Sequence, residues 1–147
     1  MITQTGSHTL KALGALSGLP EGRFLGAAEL ARQVKAPANY LGKLLSQLAR
    51  AGIVEGRKGG NGGFRLSRAP SSIVLFDVLN PIEHLGRVNR CILGRARCTA
   101  GGCPLHRGWS EVRDTYLRFL KTTTLADLAG DRLKKERAAE IAAGGIS

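Results

Sequence analysis

The chain has no run of about 18 apolar residues, so nothing in it reads as a membrane-spanning helix. Residues 1–11 are polar and mixed, without the charged-then-apolar layout of a secretory leader. A cytoplasmic protein is expected. Cysteine is scarce: three among 147 residues, all within positions 91–103. A disulfide framework would be even in number and spread along the chain. In a reducing compartment, a small cluster points instead to metal binding or redox sensing. Catalytic constellations are missing too. His8, His84 and His106 lack an obvious carboxylate partner, and no Ser-His-Asp set stands out. The glycine run at 59–63 lacks the Lys-Ser/Thr ending and the following helix of a nucleotide loop. No enzyme is expected, and the chain has no internal repeat.

Acidic residues are also few, 11 against 22 lysines and arginines, for a net charge of +11. Such a chain attracts polyanions. The excess is concentrated. Residues 32–68 hold eight basic side chains and a single acid, Glu55. A one-signed block inside a foldable segment suits a phosphate-facing surface, although a solvated basic face would share the composition.

Apolar spacing predicts helices at 6–17, from about 27 to 34, and from Pro37 to about residue 51. Ala27, Leu30, Ala31 and Val34 form one stripe; Leu41, Leu44, Leu45 and Leu48 form the next. Proline suits the first turn of the third helix, and Gly52 suits a left-handed residue just past its end. A hairpin follows, with Phe64 and Leu66 alternating with Arg65. Its glycine-rich basic tip carries Arg57, Lys58, Gly59 and Asn61. A short helix is expected at 73–79, stopped by Pro81, then a loop at 86–102 and a long helix from about 104 to 121. Residues 124–128 add a turn, and a charged, alanine-rich tail from Asp131 is either a frayed helix or disordered.

The expected fold is mainly α with a small β-hairpin: a winged helix-turn-helix over 1–80, a cysteine loop over 81–103, a dimerisation helix and its end over 104–130, and a tail over 131–147. The third helix buries one face and offers a polar one to a major groove. Ala38, Asn39, Tyr40 and Lys43, with Gly42, would approach base edges of double-stranded DNA. Arg57 and Lys58 would reach phosphate or a narrow minor groove. The alternative for the tip is a flexible surface loop.

Six residues separate Cys91 from Cys98, four separate Cys98 from Cys103, and two separate Cys103 from His106. Thiolates and imidazole select zinc, copper(I) or iron–sulfur clusters. The tight cysteine pairs of structural zinc sites are absent, and longer spacings suit a multi-iron object. Zinc, free thiols and an uninvolved His106 stay open. Arg87, Arg90, Arg95, Arg97 and Arg107 surround the cysteines, and no acid lies between Glu83 and Glu111. Such cations stabilise thiolates. Along the long helix, Leu105, Trp109, Val112, Tyr116, Phe119 and Leu120 recur at three- and four-residue steps. This seam suits a second helix, unless it packs only on its own domain.

These residues resemble the Rrf-two type winged-helix regulators, the group of IscR, NsrR and RirA, over residues 4–129. The similarity lies in Gln4, Thr5 and the Thr9-Leu10-Lys11-Ala12-Leu13 run; in Tyr40-Leu41, Leu44-Leu45, Leu48 and Ala51-Gly52-Ile53-Val54; and in the wing from Lys58 to Phe64. It continues through Cys103-Pro104-Leu105-His106, Trp109, Phe119-Leu120 and Thr124-Leu125-Ala126-Asp127-Leu128. The resemblance implies a homodimer on a palindromic operator. It also implies an iron–sulfur cluster sensing cluster supply, iron, oxidants or nitric oxide. Carried over from IscR-like members, the ligands are Cys91, Cys98, Cys103 and His106 on a 2Fe–2S cluster, with 4Fe–4S as the alternative. The cysteine spacing departs from the family's even one. Ser7 replaces an acidic ligand found in some members, with His8 beside it as a substitute. Gly42 replaces a specificity-setting acid. A cluster-free or zinc-bound DNA-binding protein, including a thiol switch, is the alternative function; a nonspecific architectural DNA binder is a further one.

Overall fold

A computed structural model describes residues 2–144. Helix α1, Gln4–Ser17, opens on Thr3, whose hydroxyl accepts the Gly6 N–H at 3.1 Å. It buries Ala12, Leu13 and Leu16. Helix α2, Ala27–Val34, buries Leu30, Ala31 and Val34. Lys35 then takes the left-handed conformation at φ 60°, and the Ala36 amide returns to the Ala31 carbonyl at 3.0 Å. This sharp turn sets α2 against α3, Ala38–Arg50. Pro37 stands just before α3 as its cap, with φ −61° and ψ 136°, rather than in the first turn.

Helix α3 buries Leu41, Leu44, Leu45 and Leu48, the expected stripe. Gly52 takes φ +79°; its amide bonds the Ala49 carbonyl, and the Ile53 amide bonds Leu48, both at 3.0 Å. That is the two-bond closure that left-handed glycine permits, with apolar Ile53 folded back into the core. Strands β1, Val54–Arg57, and β2, Gly63–Leu66, pair antiparallel with Val54 opposite Leu66 and Arg57 opposite Gly63. Leu25 bridges the other side of β2, exchanging backbone bonds with Phe64 at 2.9 and 2.8 Å. The wing is thereby tied to the segment that leads into α2.

Helix α4 is Leu75–Glu83, displaced from the expected 73–79 at both ends. The β-branched pair Ile73-Val74 is extended, and this segment bonds residues 123–125: the Leu75 amide donates to Thr123 and the Leu125 amide to Ile73, both at 2.9 Å. Pro81 lies inside the helix instead of stopping it. The lost bond would have gone to Asp77 on the exposed face, while buried Val78 and Leu79 hold the helix to the core. His84, left-handed at φ 52°, ends it.

Helix α5, His106–Thr122, packs on α4 and buries Tyr116 and Leu120. Helix α6, Leu125–Gly144, runs continuously where a turn and a separate tail were expected. A capping box starts it: Asp127 accepts the Thr124 amide at 2.9 Å, and the Thr124 hydroxyl accepts the Asp127 amide at 3.3 Å. The alanine-rich sequence that follows is a strong helix former. The end of the expected tail, residues 145–147, lies outside the described residues. Among the described residues, no helix is long and apolar enough to cross a membrane.

Candidate nucleic-acid interface and metal centre

The polar face of α3 is open to solvent, with Ala38, Asn39 and Lys43 exposed. Asn39, Gly42, Lys43, Ser46 and Arg50 line a shallow groove whose far wall includes Phe64 of the wing. Recognition helix and wing therefore share one groove, with Lys43 and Arg50 as its cations. No side chain caps the α3 N-terminus, so its amides favour a phosphate. Tyr40 is turned differently from the expected base-reading pose. It is half-buried, and its hydroxyl donates to Thr5 Oγ1 at 3.0 Å and lies 3.4 Å from His8 Nδ1. Tyr40 anchors α3 to α1. His8, with its ring edge-on to Tyr40, is not among the donors gathered with the cysteines.

Arg57, Lys58, Gly59 and Asn61 are exposed at the wing. The Arg57 guanidinium donates to the Asn61 carbonyl at 3.0 Å. Gly63, at φ +136°, leaves no room for a Cβ against the Leu25 carbonyl. Part of the glycine run is thus a steric requirement of the wing's base, which a flexible tether would not impose.

The loop over residues 90–105 brings all three thiols together. Cys91, Cys98 and Cys103 place their sulfurs within 4.8 Å of one another. Cys103 is buried and the other two are half-buried. His106, in the first turn of α5, joins at one edge, with Nδ1 3.1 Å from Cys98 Sγ. Local bonds shape the loop: the Gly94 amide to the Cys91 carbonyl at 2.9 Å, and Arg95 Nη1 to the Gly102 carbonyl at 2.8 Å. Backbone amides of Arg95 and then Leu93 lower the Cys91 pKa. Desolvation, followed by the neighbouring thiols, pushes Cys98 up to about 11.

Two expected roles divide on the structure. Trp109 donates its indole N–H to the Arg90 carbonyl at 3.1 Å, clasping the cysteine loop to α5; helical spacing carries no sign of that bond. The apolar seam also splits. Tyr116 and Leu120 are 7% and 0% exposed against their own domain, whereas Leu105, Val112 and Phe119 are 46%, 48% and 49% exposed. Phe24, which the sequence does not single out, lies under two arginines of the hairpin.

The Rrf2 family, described as iron-dependent transcriptional regulators, matches residues 2–131. The chain belongs to the Rrf2 family. Its fold is shared with CymR, the global cysteine regulator of B. subtilis, at 26% identity and TM-score 0.73, covering 88% of this chain and 96% of that one. T. potens IscR aligns at 21% identity and TM-score 0.71, over 90% of this chain and 88% of that one. The oxidised form of Staphylococcus aureus CymR aligns at 22% identity and TM-score 0.70, over 88% and 95%. This Rrf2 member is a DNA-binding transcription regulator with a winged helix-turn-helix, and not an enzyme.

Proposed function

We propose that this Rrf2 regulator works as a cytoplasmic homodimer on a palindromic operator, and that an iron–sulfur cluster sets its grip on DNA. Cys91, Cys98, Cys103 and His106 would hold the cluster, of the 2Fe–2S type with 4Fe–4S as the alternative. The observation that carries the reading is the gathering of three sulfurs within 4.8 Å with an imidazole nitrogen at their edge. The donor set fits the group: soft thiolates in an arginine-rich, acid-free loop. Bound there, the cluster supplies a redox-labile centre whose loss or oxidation reports iron, cluster supply, oxidants or nitric oxide.

The chain's own parts carry the message. Order in residues 90–105 keeps the Trp109–Arg90 clasp closed. The clasp fixes the start of α5, which packs on α4, and α4 reaches α3 through Gln47, whose side-chain amide donates to the Pro81 carbonyl at 2.8 Å. Ala38, Asn39 and Lys43 of α3 meet the major groove, and Arg57, Lys58, Gly59 and Asn61 follow the backbone. Leu105, Val112 and Phe119 meet the partner's α5.

A second reading has its own support. Sulfurs about 2.3 Å from one tetrahedral ion stand about 3.8 Å apart, a separation that fits within the 4.8 Å that bounds the sulfur spacing here. A zinc-bound or purely thiol-based switch would also use this set.

An anaerobic visible spectrum with iron and acid-labile sulfide assays separates the readings. Charge-transfer bands with near-equal iron and sulfide are expected. A protein that stays colourless after reconstitution and binds zinc would replace the first reading with the second.

A further inference from the structure

A glycine-rich wing is a poor place to hold a long cation still. Glycines stand at 56, 59, 60, 62 and 63, and Arg57 lies among them. A side chain that must reach DNA from such a hairpin loses conformational entropy on binding unless something restrains it beforehand.

Restraint is present, and it comes from outside the hairpin. Phe24 lies in the link between α1 and α2. The Arg57 guanidinium carbon sits 4.5 Å from its ring centroid, and that of Arg65 sits 4.6 Å away. The ring is held in place because the next residue, Leu25, exchanges two backbone bonds with Phe64. The rigid helical unit therefore lends the wing an aromatic platform.

The two arginines are not equivalent. Arg65 is paired with Glu55 at 2.9 Å, so its charge is largely spent within the hairpin. Arg57 makes its hydrogen bond to a neutral acceptor, the Asn61 carbonyl, at 3.0 Å. Its positive charge stays available. Arg57 also lines, with Arg23, Phe24, Gly60, Asn61 and Gly62, a notch between the wing and residues 22–26.

We propose that Phe24 is a positioning residue for DNA binding: its ring pre-orders Arg57, which meets a backbone phosphate at this notch, while Arg65 braces the hairpin. The proposal rests on the wing being a DNA contact. Phe24 acts through Arg57. Stacking of a guanidinium on an aromatic face is a modest interaction at exposed sites, and its loss is expected to weaken binding about two- to fivefold.

The test uses the full-length protein and a short duplex selected from a randomised library by the unmodified chain. Affinity is measured between about 50 and 200 mM salt. Arg57→Ala should weaken binding and lower the salt slope by about one. Phe24→Leu should weaken binding with the slope retained, because the cation is still present but no longer held. In the Arg57→Ala background, Phe24→Leu should add nothing. Phe24→Trp, which keeps a platform, should bind as the unmodified chain does. Hydrogen exchange on the free protein should show faster wing amides in Phe24→Leu and in Arg57→Ala, and unchanged ones in Phe24→Trp.

If Phe24→Leu weakens both backgrounds equally, the residue serves the fold and the positioning role is wrong. If Arg57→Ala matters and Phe24→Leu does not, the platform is idle. If Arg57→Ala changes neither affinity nor slope, the wing contact itself falls, and this inference with it.

Discussion

Gly63 shows how a single residue commits this chain to its wing. Its φ of +136° is disfavoured for any side chain, and a Cβ would strike the Leu25 backbone. Gly63→Ala should therefore destabilise the fold by about 1–3 kcal/mol and loosen the Leu25–Phe64 rung. Urea unfolding would show the first effect, and exchange at the Phe64 amide the second. Unchanged values for both would mean the wing is not anchored at this rung. By contrast, Gly60 has open space where a Cβ would stand and no positive φ, and alanine there should be nearly neutral. Residues of these two kinds look identical in the sequence, where 59–63 is simply glycine-rich. What distinguishes them is the close approach of a segment more than thirty positions earlier, Leu25, which no local pattern encodes.

Helix α5 has two apolar edges, one exposed and one buried. Leu105, Val112 and Phe119 are spaced by seven residues along its exposed edge, the repeat of a helix-pairing seam. Tyr116 and Leu120 lie beside that edge and face the domain. Val112→Glu is expected to convert a dimer to a monomer in light scattering while thermal stability of the domain is kept. Leu120→Ala should do the opposite, removing about 2–5 kcal/mol of stability without weakening self-association of the folded protein. A Val112→Glu protein that stays dimeric would move the interface off this edge. Periodicity made the apolar character of this helix legible. It could not divide the stripe, because the two edges are less than a quarter-turn apart on the helix and differ only in what covers them. Stripes with one task, such as Leu41-Leu44-Leu45-Leu48, are visible in the spacing alone, as is the Gly52 closure. Tertiary pairing hid elsewhere: extended Ile73-Val74 bonds to residues 123–125, so α4 starts later and runs through Pro81. Of the site, the thiol cluster and the exposed face of α3 were legible from residue type and spacing. The Tyr40 hydroxyl bond to Thr5 and the Trp109 clasp were not, since each depends on a partner at least nineteen positions away.

For the whole molecule, the proposed thiol switch has to reach a helix in another part of the fold. The proposed path uses ordinary contacts in series: the cysteine loop to Trp109, α5 to α4, and Pro81 to Gln47 of α3. Coupling through such a chain is typically about 1–3 kcal/mol, or about five- to 150-fold in affinity. Metal-loaded and metal-free protein should differ in DNA affinity by a factor in that range, and Cys98→Ala or Cys103→Ala should abolish the difference while keeping the fold. Those variants test the site but not the path. Trp109→Phe tests the path, because it preserves an aromatic side chain and deletes only the N–H that grips the Arg90 carbonyl. It is expected to load metal normally, with the same iron content and spectrum, yet to bind DNA with nearly the same affinity loaded or empty. Should the affinity ratio survive in Trp109→Phe, the signal bypasses the clasp; a route through the exposed edge of α5 then predicts that the response vanishes in Val112→Glu.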